Sequence, residues 1–219
     1  MGAARTATHR WAFERGALWA ADVQGPRPAH VAPRRPAEFG EVAPAHADLV
    51  AHRVRLAPEL VQQRFAEGAR CFAAHVEGRI AACGWVSQGS AWVGELERTF
   101  RLAPREVYIW DCVTLPAYRG QRLYPALLSC LLVTLRTEGV RRAWIGASLD
   151  NAASTHGIAT AGFRPVVWAR YGRLGRLYAL WIGGYRQVPP QDIAAARAIM
   201  RSAHEARLGP VVLGLAPSK

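Results

Sequence analysis

Between Val107 and Val166 the chain follows a pattern that few folds accommodate. It opens with a β-branched and aromatic run, Val107 to Val113, bounded by Pro116, which is strand composition. A polar turn follows, Tyr118-Arg119-Gly120-Gln121-Arg122. The pattern then predicts a helix from Leu123 to about Glu138, with Pro125 in its first turn and Gly139 just past its end. A second strand-like run, Ala143 to Ala147, precedes Asn151 at the N-cap of another helix, which stops at Gly162-Phe163. Strand, helix and strand in this order predict a right-handed βαβ unit. The turn leaves several backbone N–H groups free at a helix N-terminus, where the dipole favours phosphate.

Arg119-Gly120-Gln121-Arg122-Leu123-Tyr124 resembles the acyl-CoA pyrophosphate loop of the GNAT superfamily of N-acetyltransferases, usually Gln/Arg-x-x-Gly-x-Gly/Ala. Asn151-x-x-Ser154 followed by Gly162-Phe163 resembles the family's second signature. With their flanking strands the two cover Val107 to Val166. The resemblance implies an α/β (α+β) fold, with a splayed, mixed central sheet of about six to seven strands flanked by helices. It implies acetyl-CoA as cosubstrate, no metal, and direct attack of an acceptor amine on the thioester. Cofactor contacts would fall on Arg119, Gly120, Gln121, Arg122, Leu123 and Tyr124. Main chain near Val113 and Leu115 would pair with the pantetheine arm, and Asn151 and Ser154 would lie beside it.

Four positions depart from the family pattern or carry two readings. Arg122 stands where the family has glycine. It either clamps phosphate bidentately or is a solvated arginine whose Cβ hinders close approach of the loop. Tyr124 stands where the family has glycine or alanine. Ile158 replaces the tyrosine that many members use as general acid, and it cannot donate a proton. Asn151 also reads as a helix N-cap worth about 1 kcal/mol.

For the base, Asp111 is the best single candidate. It interrupts an apolar strand, on the side of Val113 by strand alternation. A buried carboxylate is costly unless paired or functional. The alternative is an ion pair with one of the many arginines.

The chain has 219 residues, a hydrophobic content of 51% and a formal net charge of +12, enough for one domain with a sizeable core. Of 28 basic residues only Lys219 is lysine. The arginines are scattered rather than gathered with aromatics, which argues against nucleic acid as partner. Cys71, Cys83, Cys112 and Cys130 have no CxxC or zinc spacing and read as reduced, buried thiols of a cytoplasmic protein. No apolar run is long enough to span a bilayer. Met1-Gly2 with Thr6 formally fits a myristoylation pattern, a short motif that arises readily by chance.

Along the chain, residues 1–37 read as an arm with one added strand at Ala17 to Val23, residues 38–186 as the acyltransferase domain, and 187–219 as a helix and tail. Within the domain a strand at Glu38 to Val42 and helices at Ala45 to Val54 and Ala57 to Glu67 are expected. A hairpin turns at Glu77-Gly78, and residues 88–104 read as loop with a strand or turn at Trp92 to Leu96. A terminal hairpin, Arg164 to Tyr171 with Leu177 to Ile182, precedes a helix from Gln191 to Leu208. The sequence names no acceptor, and a homodimer is common in the resembled family. An acyl-CoA-binding module without turnover, and a longer acyl donor, stay open as alternative functions.

Overall fold

The computed structural model describes residues 12–26, 30–96, 98–174, 177–201 and 211–215. Its centre is one nine-stranded sheet. The strands are β1 (Ala12–Asp22), β2 (Glu38–Val42), β3 (Arg70–Val76), β4 (Arg79–Gln88), β7 (Glu106–Thr114), β8 (Arg142–Ser148), β9 (Arg164–Leu174), β10 (Leu177–Gly184) and β11 (Val211–Leu215). Their order across the sheet is β11-β10-β9-β1-β8-β7-β4-β3-β2. The two remaining strands, β5 (Ser90–Val93) and β6 (Arg98–Arg101), form a separate hairpin. The helices are α1 (Ala47–Val54), α2 (Pro58–Ala66), α3 (Leu123–Thr137), α4 (Ala152–Thr160) and α5 (Pro190–Arg201).

The expected βαβ unit forms as β7-α3-β8, with parallel pairing from Glu106↔Arg142 to Ile109↔Ile145. Helix α3 is apolar on most sides because it is wedged against β3, β4, β7 and α4. Its leucines join Phe72, Val107, Ile109 and Ile145 in the core of one sheet face. Gly139 ends the helix at φ 75°, a left-handed position that favours glycine. The turn between β3 and β4 carries positive φ at both Glu77 and Gly78, the backbone a two-residue hairpin demands. On the opposite face, α1 and α2 pack on Cys71, Cys83 and Trp85. Helix α5 and the β5–β6 hairpin cover Leu18, Tyr108, Trp144 and Leu180 on that same face.

Three expectations change. The sheet has nine strands rather than six or seven. Residues 88–104, read as loop with a strand or turn at Trp92 to Leu96, contain a full hairpin: β5 and a turn at Gly94–Leu96 overlap the expected element, and β6 pairs with β5 from Ser90↔Arg101 to Val93↔Arg98. Residues 211–215, read as tail, pair parallel with β10. The expected helix to Leu208 runs to Arg201, with 202–208 outside the described residues. The amino-terminal pattern Met1-Gly2-Thr6 and the last tail residues, 216–219, also lie outside them. Strand β1 is paired on both edges, antiparallel to β8 and to β9.

Candidate acyl-donor loop and acceptor cavity

The pairing of β7 with β8 stops at Ile109↔Ile145 although both strands continue. From there β7 stays with β4 as far as Thr114↔Ala82, and β8 stays with β1 as far as Ser148↔Gly16. A gap therefore opens between residues 110–114 and 146–148. Its cause on the β7 side is a bulge: the β4–β7 register shifts between Cys83↔Val113 and Trp85↔Trp110. Asp111 sits in the bulge with φ 45°. The facing Gly84 leaves room there, since a Cβ on it would lie 2.7 Å from the Cys112 Sγ.

At the wide end of the gap lies the loop before α3. Gly120 and Arg122 both adopt left-handed φ, 74° and 58°. Among the described residues no hydrogen bond engages the N–H groups of Gly120, Gln121, Arg122, Leu123 or Tyr124. The carbonyls of the same loop are tied back instead. Arg34 donates its backbone N–H to Gln121 O at 2.9 Å and its Nη1 to Gly120 O at 3.1 Å. Free amides beside left-handed residues, with the carbonyls tied elsewhere, can form a nest for an anion. Arg119 braces the loop through Nε to Thr114 O, 3.3 Å.

The remaining expected donor-site residues cluster around this gap. Leu115 donates its N–H to Ala81 O at 2.9 Å, so that amide is committed to β4. By antiparallel alternation it is Thr114 whose main-chain groups face the gap. Asn151 caps α4, its Oδ1 accepting from Ser154 N at 3.0 Å, which leaves its amide N–H₂ available. Tyr124 lies across α4 so closely that a Cβ on Gly157 would come within 2.6 Å of its ring. Burial pushes its phenol well above the ordinary tyrosine range, opposed by a hydrogen bond with Ser154. Ile158 is fully buried in the α3 core.

On the other side of the gap is a cavity of about 670 Å³. Its walls include Trp110, Asp111, Gly146 and Tyr108 from the splayed strands, with Glu14 on β1 and Glu95 after β5. Of the two readings of Asp111 the ion pair with an arginine forms, to Arg64 at 2.6 Å, and the desolvated carboxylate is corrected, since the side chain is 43% exposed. Strict alternation would have set Asp111 beside Val107 and Ile109 under α3, and the bulge turns it to the cavity face. Arg64 itself is stacked over the rings of Trp85 and Trp110, its guanidinium carbon 5.1 and 4.7 Å from their centroids. Tyr108 crosses the apex of the gap over Gly146, where a Cβ would meet its hydroxyl at 2.7 Å. The hydroxyl of Tyr171 donates to Glu14 Oε2 at 3.0 Å. A larger cavity, about 990 Å³, opens at the far end of β1 around Asp22, Arg142 and Tyr185, away from both loop and gap.

Sequence reasoning missed Arg34, Arg64, Glu14, Glu95 and Tyr108. Only Tyr108 gave a signal, one residue inside the predicted strand. The others reach the site through contacts far apart in the chain.

Residues 42–163 match the family model described as the acetyltransferase (GNAT) family. The chain belongs to this family. Solved GNAT structures share the fold. A GNAT-family protein from Novosphingobium aromaticivorans aligns over 74% of this chain and 65% of its own, with 16% identity and a TM-score of 0.52. A tandem GNAT protein from the clavulanic acid biosynthesis pathway gives 75%, 55%, 19% and 0.52 for the same measures. A GCN5-related N-acetyltransferase from Sphaerobacter thermophilus gives 75%, 53%, 15% and 0.52. This GNAT chain thus spans between about half and two thirds of those relatives' lengths. No curated relative matches it. Among the described residues no helix is long and apolar enough to cross a membrane.

Proposed function

We propose that this GNAT protein transfers an acyl group, acetyl in the first place, from its CoA thioester directly to an amine held in the cavity. One observation supports the reading: the stretch where β7 and β8 part connects a loop whose N–H groups have no partner among the described residues to an open, aromatic-walled cavity. The loop would take the pyrophosphate, as helix N-termini do. The pantetheine arm would lie along Thr114 as an added strand, and the thioester would reach the apex under Tyr108. Holding both reactants there replaces a bimolecular encounter by an oriented one.

The amine nitrogen bonds to the carbonyl carbon, the C–S bond breaks, and the amine proton leaves to a base. Asp111 is the proposed base on the cavity wall. Tyr124, kept protonated by burial and placed beside Ser154, is proposed to protonate the departing thiolate. Burial also pushes the Cys112 thiol above its ordinary range, which disfavours a covalent cysteine route. In this reading residues 38–186 form the acyltransferase unit, residues 1–37 add β1 and the Arg34 strap, and residues 187–219 add α5 and β11. The four unpaired cysteines support a cytoplasmic setting.

The buried Ile158 favours a second reading, an acyl-CoA-binding module without turnover. Titration calorimetry with acetyl-CoA on wild type and Gly120→Glu, followed by thiol release with a panel of amines, separates the two. Binding lost in the variant together with amine-dependent thiol release supports the transferase. Binding without release supports the module, and no binding removes both. Competition between acetyl-CoA and octanoyl-CoA reports the preferred acyl length.

A further inference from the structure

The cavity on the acceptor side has a charge opposite to that of the chain. The protein carries a formal net charge of +12, with 28 basic and 16 acidic residues. Among the described residues three carboxylates nevertheless line the cavity, Glu14, Glu95 and Asp111, against one arginine, Arg64. Arg64 is spent on Asp111, held there by the 2.6 Å ion pair and by the two indole rings beneath it. Glu14 and Glu95 have no ion-pair partner among the described residues. The two carboxylates face one cavity with no cation set against them.

The rest of the wall suits a cation as well. Tyr108, Trp110, Phe100 and Tyr171 line the cavity, and Trp92 stands at its rim with 53% of its surface exposed. Aromatic faces attract ammonium groups and cover an alkyl chain at the same time. The Tyr108 hydroxyl is buried. Its oxygen meets the Gly146 backbone, and among the described residues no acceptor takes its proton, which leaves that proton for a group in the cavity that Tyr108 lines. Burial and the nearby Glu95 carboxylate both push this phenol above its ordinary range, so it stays a hydrogen-bond donor.

We infer that the acceptor is a small di- or polyamine, which keeps a second positive charge on Glu14 and Glu95 while one amine reacts near Asp111. This rests on the acyltransferase reading above and names its substrate class. A monoamine of the same length would lose the distal pair, and an acidic amine such as glutamate would be repelled. The cavity volume suits a small molecule.

The test is titration calorimetry on the full chain saturated with coenzyme A, with putrescine, n-butylamine and glutamate as probes. Putrescine is expected to bind about tenfold or more tightly than n-butylamine, the usual value of a charge-assisted contact, and glutamate not measurably. Glu14→Gln and Glu95→Gln, both exposed positions, should each remove about tenfold of putrescine affinity while coenzyme A still binds. Equal binding of putrescine and n-butylamine, or wild-type putrescine affinity in both variants, overturns the inference. Thiol release from acetyl-CoA is followed separately. Selective putrescine binding without transfer sinks the transferase reading and leaves the charge preference standing, whereas transfer to n-butylamine and putrescine alike does the reverse.

Discussion

Arg64 on α2 and Asp111 in the β7 bulge meet at 2.6 Å across 47 positions of sequence, on the wall of the cavity between the splayed strands. The pair joins the helix that borders the cavity to the strand that opens it. Asp111 tolerates φ 45° better than most residues because a short polar side chain suits the left-handed region. The ion pair is only partly shielded, so its contribution to stability is small. Its main effect is to fix where the carboxylate points.

Arg64→Gln should therefore raise the KM for the amine while the acetyl-CoA Kd stays within twofold, and cost about 1 kcal/mol through the lost stacking and pairing. Asp111→Asn keeps the backbone conformation and should lower kcat at unchanged acetyl-CoA affinity. An unchanged rate removes Asp111 from the mechanism. Asp111→Val, which cannot adopt this φ cheaply, should lose about 1–2 kcal/mol in urea unfolding.

Arg122 occupies a left-handed position that glycine would take without strain. Arg122→Gly should raise the melting temperature by a few degrees, because the relieved strain is about 1 kcal/mol. The same change removes a cation from the phosphate nest. Acetyl-CoA affinity should fall, and its dependence on salt should weaken. Calorimetry at two ionic strengths reads both effects, and tighter binding by the glycine variant would show that the arginine obstructs the loop.

Tyr124 and Gly157 test the acid. Tyr124→Phe keeps the packing against α4 and should lower kcat far more than the acetyl-CoA Kd. Gly157→Ala gains helix propensity but drives a Cβ to within 2.6 Å of the tyrosine ring. It should destabilise by about 1–3 kcal/mol and lose the same activity by displacing the phenol. A Phe variant with normal turnover would take Tyr124 out of the chemistry.

Arg70 links β3 to Glu41 on β2 and to Glu138 at the end of α3, with N–O distances of 2.6 and 2.7 Å. Its hydrogen bonds hold the Glu138 carboxyl below the ordinary glutamate value, with burial opposing. A lowered folded-state value means stability that is fully present above the unfolded value, about 4.3, and lost as pH falls through the folded one. Arg70→Gln should lower stability at neutral pH and flatten its decline below about pH 4.3. Chemical unfolding at a series of pH values checks both; an unchanged acid slope would mean that Glu138 gains nothing from the pair.

Short-range chemistry made β7, α3, β8 and α4 legible in the sequence. Pro125, Gly139, Asn151 and Gly120 act on residues within about four positions, where caps and helical bonds are decided. The β5–β6 hairpin and β11 were not legible, because short strands gain their stability from a partner rather than from their own pattern. Asp111 shows both sides. Its presence in an apolar strand marked it, but alternation gave it a buried setting that the bulge replaced with an exposed, paired one.

The sequence by itself thus determined the family, the loop before α3 and the capped helix behind it. Only the tertiary structure decided which side chains line the cavity between the splayed strands. Glu14 reaches Tyr171 across 157 positions, and Arg34 reaches Gly120 across 86. Such meetings depend on strand order in the sheet, which follows from burying nine strands together and not from any local pattern.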